Sequence, residues 1–122
     1  MKVLVVDDEP DARSLIQRLL EDCNAKVSTA ASAHEAMQVL LRDSPDVIVS
    51  DIGMPGEDGF TLIRRIRALD GDPGATPAIA LTAYARTEDR VKAIQAGFQL
   101  HLSKPVEPLE LVTMVESLAQ RR

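Results

Sequence analysis

The chain has 122 residues, 45% of them hydrophobic and 27% charged, and its 19 acids against 14 lysines and arginines give a formal net charge of −5. That length suits one domain with a real core, and the composition is that of a soluble globule, not of a disordered or fibrous chain. The acidic balance and the lack of a basic stripe argue against direct nucleic-acid binding, which draws its affinity from concentrated cations.

One cysteine, Cys23, rules out an intrachain disulfide and a thiolate metal cluster. No stretch approaches the ~20 continuous apolar residues of a membrane-spanning helix, and no signal peptide precedes Lys2. A cytoplasmic, reduced location without membrane contact is expected.

Residues 2–6, KVLVV, are almost all β-branched or Leu, as in a strand buried on both faces. Asp8 or Glu9 can cap the following helix with Pro10 at its first position, and Ala12, Leu15, Ile16, Leu19 and Leu20 recur at helical spacing. KVSTA (26–30) is a weaker, alternating strand. Ser32 and Glu35 form a capping box for a helix with Ala33, Ala36, Met37 and Leu40 on one face. Pro45 stops that stretch, and VIVS (47–50) is again a doubly buried strand, ending at Asp51.

The rhythm then repeats. MPGEDG (54–59) is a loop, and Phe60, Ile63, Ile66 and Leu69 carry a helix. GDPGATP (71–77) is a turn-rich connector before the strand AIALT (78–82). Val91, Ala93 and Ile94 are expected to face inward on a short helix closed by Gly97, and FQLHL (98–102) is the fifth strand. Glu107 and Pro108 open the last helix, with Leu111, Val112, Val115 and Leu118 as its stripe.

Strand–helix alternation over residues 1–122, read as a single domain, implies an α/β fold: a doubly wound parallel sheet with helices on both faces. The first, third and fourth strands are continuously apolar and belong in the interior; the second and fifth are mixed and suit the edges. That predicts five strands in the flavodoxin-like order 2-1-3-4-5.

In such folds sites form outside the C-terminal strand ends. Asp7 and Asp8 leave the first strand there, Asp51 the third and Thr82 the fourth, while Lys104 follows the fifth. Three unpaired carboxylates at one place would raise one another's pKa and cost stability. Mg²⁺ resolves that conflict, being hard and suited to carboxylate, carbonyl and water (Mn²⁺ can substitute). Zinc fits badly, because His34 and His101 lie on separate elements with no cysteine near. A carboxylate can act as nucleophile toward phosphorus. Asp51 stands apart from the acidic pair and nearest the sheet centre, which makes it the better nucleophile. Lys104 and Thr82 are then placed to bind the transferring phosphoryl oxygens. The absence of a GxxxxGK[ST] motif argues against ATP as direct donor.

Asp7-Asp8, Asp51 followed by Met54-Pro55-Gly56, Thr82-Ala83 and Lys104-Pro105 together resemble the receiver domain of bacterial two-component response regulators, in order and spacing over essentially the whole chain. The resemblance implies that Asp51 accepts a phosphoryl group from the phosphohistidine of a histidine kinase or histidine phosphotransfer protein. Asp8, Asp51 and the Gly53 backbone carbonyl would bind Mg²⁺ directly, and Asp7 mainly through water. Thr82 would move toward the phosphoryl group, and the Lys104–Pro105 bond would be cis.

A downstream protein target or an attached output domain is implied, as is a phosphorylation-dependent homodimer. The chain is expected to be a phosphoacceptor with slow self-dephosphorylation and not an enzyme. The stretches TAYARTEDR and LSKPVEPLELVTMVESL are similar to receivers attached to hybrid histidine kinases. His101 departs from the family, which usually has Tyr or Phe there as a switch residue. Tyr84, two residues after Thr82, and Gly53, two after Asp51, are positions expected to tune the phosphoryl lifetime.

Two rival readings are weaker. A Mg-dependent aspartyl-phosphate phosphohydrolase of the haloacid-dehalogenase type wants Asp-x-Asp where this chain has Asp7-Asp8-Glu9, and a cap domain that it lacks. A non-phosphorylated module of the same fold usually loses one of the acidic, threonine or lysine positions, and all are present.

Overall fold

The computed structural model of the protein describes residues 1–54, 56–83 and 86–120. Five strands, β1 (Lys2–Val6), β2 (Lys26–Ala30), β3 (Val47–Asp51), β4 (Ala78–Thr82) and β5 (Leu100–Ser103), form one parallel sheet in the order β2-β1-β3-β4-β5. The α-helices are α1 (Pro10–Glu21), α2 (Ala33–Asp43), α3 (Gly59–Arg67), α4 (Thr87–Ala96) and α5 (Pro108–Ala119), with a 3₁₀ turn at Asp72–Ala75. This is the flavodoxin-like arrangement the alternation predicts. The interior strands β3 and β4 are buried at every residue, while the edge strands β2 and β5 are only partly so.

Side-chain alternation splits the core in two. Leu4, Val6, Ile48, Ala78 and Ala80 pack with Ala36, Leu40, Ile63, Ile66 and Ala93 from α2, α3 and α4. Val3, Val5, Val49, Ile79, Leu81 and Leu102 pack with Ile16, Leu20, Leu111 and Val115 from α1 and α5. Two of the expected helix starts are capped by their own side chains: Ser32 Oγ accepts the Glu35 N–H, although the Glu35 carboxylate takes the Ala31 N–H and not that of Ser32, and Glu107 accepts the N–H groups of Leu109 and Glu110. Asp58, read from the sequence as part of a loop, caps α3 by accepting the Thr61 N–H.

Three expectations need correction. Glu9 is the residue that caps α1, yet its side chain makes no capping bond; Asp7 instead accepts the Glu9 N–H. Val91 and Ile94 of α4 are exposed, at 45% and 47%. They share one side of the helix, while Ala93 lies roughly 200° round from Val91, and the sheet takes the Ala93 side. The fifth strand starts two residues late. Phe98 is a buried core residue, and Gln99 spends its backbone N–H and side-chain oxygen on Ala78 before pairing begins at Leu100. Gly97 does close α4, at φ +130.

Candidate functional site

The C-terminal ends of β1, β3 and β4 open into a cavity of about 680 Å³ lined by Asp8, Asp51, Gly53, Phe60, Thr82, Asp89 and Lys104, among others. Carboxylate oxygens of Asp7, Asp8 and Asp51 all lie within 4.8 Å of one another. Asp51 therefore does not stand apart from the acidic pair: β1 and β3 are hydrogen-bonded neighbours, and their ends deliver all three acids to one point.

Asp7 is fully buried and both its oxygens are engaged. Oδ1 accepts the Glu9 N–H at 3.0 Å and Oδ2 accepts from Lys104 Nζ at 3.0 Å. Its backbone carbonyl accepts from Arg13, a contact with no signal in the sequence. Asp51 is 7% exposed; its Oδ1 accepts the Gly53 N–H at 3.2 Å and its Oδ2 lies 3.4 Å from Lys104 Nζ. Burial pushes the Asp51 carboxyl pKa up, and the Asp7 charge adds to this, while Lys104 and the Gly53 N–H oppose it. Burial works against the Lys104 charge, but the hydrogen bond to Asp7 and the fields of Asp51 and Asp7 outweigh it, so its pKa is raised.

Lys104 reaches the carboxylates because its N–H is held by the Thr82 carbonyl at 2.7 Å, and the Lys104–Pro105 peptide is cis, as the resemblance implied. Thr82 is buried at the end of β4, paired in register with Ser103. His101 pairs with Ala80 and so faces the same side of the sheet as Thr82. Its Nε2 is buried without a hydrogen-bond partner among the described residues. Pro55 and Tyr84 fall outside the described residues. The space round Gly53 is open, since a β-carbon there would meet no atom within 4 Å.

Three contributors escaped the sequence reading. A β-carbon at Gly59 would come within 2.5 Å of the Asp51 carbonyl, so only glycine lets α3 start directly beneath the acidic corner. Phe60 lines the cavity and carries Lys92 4.5 Å from its ring centroid, which ties α3 to α4. Asp89 brings a further carboxylate to the cavity from α4. None belongs to a motif; each is placed by packing between elements distant in sequence.

The donor set is all oxygen, and the described residues give the Asp8 carboxylate no hydrogen bond or ion pair, so these residues fit a hard divalent cation. The chain belongs to the response regulator receiver domain family, whose model matches residues 3–116. It is 53% identical over 117 residues to an uncharacterized 14.6 kDa protein in the sodA1 3' region of Leptolyngbya boryana, covering 95% of this chain and 88% of that one. It is 39% identical to the response regulator Rre1 of Synechocystis, where the whole chain matches but spans only 53% of the relative. Among solved structures, a putative response regulator from Chloroflexus aurantiacus superposes with a TM-score of 0.93 at 32% identity, covering 98% of both chains.

Proposed function

We propose that the protein is a phosphorylation switch in which Asp51 accepts a phosphoryl group from a phosphohistidine of a histidine kinase or phosphotransfer protein. The observation that carries this reading is the meeting of Asp7, Asp8 and Asp51 with Lys104 at the C-terminal edge of the sheet. An Asp51 carboxylate oxygen attacks phosphorus, the O–P bond forms as the N–P bond breaks, and the imidazole leaves with the electron pair and takes a proton. Lys104 already lies between Asp7 and Asp51, so its ammonium can bind a phosphoryl oxygen with little movement. The Thr82 hydroxyl supplies one hydrogen bond from the neighbouring strand end.

Asp8, Asp51 and the Gly53 carbonyl would hold Mg²⁺ (or Mn²⁺), with Asp7 reaching it through water because Lys104 and the Glu9 N–H occupy its oxygens. The bound cation supplies charge neutralisation for the transferring oxygens. The protein then acts as acceptor and switch, and its turnover is limited to slow hydrolysis of its own acyl phosphate. Open space at Gly53 favours entry of the hydrolytic water.

His101 reports the switch. It shares a sheet face with Thr82, and its unpartnered Nε2 can be taken inward when Thr82 moves. The α4–β5 face would then present itself to a downstream target or an output domain, or to a second copy of the chain. No helix among the described residues is long and apolar enough to cross a membrane, in keeping with a cytoplasmic role.

Phosphorylation by acetyl phosphate followed by borohydride reduction, which converts an aspartyl phosphate to homoserine, maps the acceptor. Homoserine at position 51 is the expected product; homoserine at position 7 or 8 would contradict the assignment.

A further inference from the structure

A second cavity, of about 240 Å³, lies between the start of α4 and β5, lined by Arg86, Thr87, Arg90, His101 and Ser103. Among the described residues every lining side chain is polar and two are guanidinium groups. The Arg90 guanidinium makes no hydrogen bond or ion pair among the described residues, and the His101 ring forms part of the cavity wall. Converging cationic and hydroxyl groups round a space several times the ~30 Å³ share of a water molecule are complementary to a compact anion.

We propose that this cavity is an oxyanion site: Arg90, Arg86 and the His101 imidazole take a phosphate-sized anion, assisted by the Thr87 and Ser103 hydroxyls. The ligand is a phosphoryl group, either free inorganic phosphate or the phosphomonoester of a small metabolite. Planar guanidinium forks match such oxygens in pairs.

An anion here changes the protonation of His101. Burial first, then the field of Arg90, hold the ring neutral, with Asp89 opposing them. Arg90 and Asp89 are the charged groups of α4 that bear on the ring, and Arg86, just before α4, lines the same cavity. The strand neighbour across from it is Ala80, Ser103 shares its face without charge, and α5 packs on the opposite face of the sheet. Lys104 is engaged by Asp7 and Asp51. An anion between Arg90 and the imidazole reverses the local field, so its binding draws a proton onto the ring and strengthens as pH falls. A protonated ring resists burial, so the anion would hold His101 outward and oppose the active state. That regulatory consequence rests on the switch reading of His101; the binding site does not.

Imidazole NMR tests the site without any phosphoryl donor or Mg²⁺, so its failure leaves the Asp51 reading intact. Inorganic phosphate, sulfate and glycerol phosphate would be titrated against sodium chloride at constant ionic strength, with His34 on α2 as internal reference. A saturable change at His101 is expected, with its pKa rising by roughly one pH unit. Binding should weaken roughly tenfold or more in Arg90→Gln, the loss of one charge-assisted contact. Tighter binding of glycerol phosphate would assign the site to a phosphomonoester, and equal binding to the free ion. A His101 signal that follows ionic strength alone would overturn the proposal, as would saturable binding unchanged in Arg90→Gln.

Discussion

Lys104 Nζ lies 3.0 Å from Asp7 Oδ2, a carboxylate with no solvent exposure at all. This pair, with Asp51 3.4 Å from the same ammonium, neutralises part of the acidic corner before any metal or phosphoryl group arrives. Lys104→Met would leave Asp7 buried and unpaired. It should lower unfolding free energy by about 1–3 kcal/mol at neutral pH, less than a fully buried pair because Lys104 is partly exposed. The folded-state pKa of Lys104 is raised, so its contribution is present at neutral pH and is lost only as pH climbs through the lysine range. Urea denaturation at pH 7 and pH 11 measures both, and a variant as stable as wild type at pH 7 would refute the pairing.

Asp51 has the opposite sign. Its folded-state pKa is raised above the unfolded value, so the folded protein holds the proton longer, and stability falls as pH rises through the carboxylate range. Asp51→Asn removes that penalty and should stabilise the metal-free protein at pH 7 by about 1 kcal/mol. The advantage should shrink as pH is lowered past the carboxylate range. Equal stability of the two proteins at pH 7 would show that the acid is not strained.

Removing the divalent cation gives a separate check. Mg²⁺ at about a hundred times its Kd should stabilise the wild type by about 2.7 kcal/mol. Asp8→Asn, which removes a proposed ligand without a hydrogen-bond or ion-pair partner among the described residues, should gain much less. Melting curves with EDTA and with millimolar Mg²⁺ compare them. Equal shifts for both proteins would remove Asp8 from the metal site.

For His101, beryllofluoride, a stable mimic of the phosphoryl group, should lower the ring pKa further as the imidazole moves inward from a position where burial already disfavours its charge. Imidazole NMR from pH 5.5 to 8 follows this. An unchanged pKa and ring environment would make His101 a bystander. The oxyanion proposed for the α4–β5 cavity shifts the same signal in the other direction.

Strand order and the acidic corner were legible because they rest on local, repeated signals. Continuous apolar runs marked β1, β3 and β4 as interior, and acids immediately after β1 and β3 had to meet once those strands paired. Helix starts were readable where a side chain caps its own helix, as at Ser32 and Glu107. They failed at α1, where Asp8 or Glu9 was expected to cap: the Glu9 side chain makes no capping bond, and Asp7 accepts the Glu9 N–H instead.

The inward face of α4 could not be read, because Val91 and Ile94 compete with Ala93 and only the fit against the sheet decides. Gly59 looked like a loop glycine; its close approach to the Asp51 carbonyl exists only after α3 has packed. The polar cavity beside β5 had no motif, since Arg90 and His101 meet across a helix and a strand.

The most direct test of the central claim is intact-mass measurement after incubation with acetyl phosphate. Wild type with Mg²⁺ should gain one phosphoryl group, while Asp51→Asn, or wild type in EDTA, should gain none. Labelling that persists in Asp51→Asn, or that is undiminished in EDTA, would contradict metal-assisted phosphorylation of Asp51.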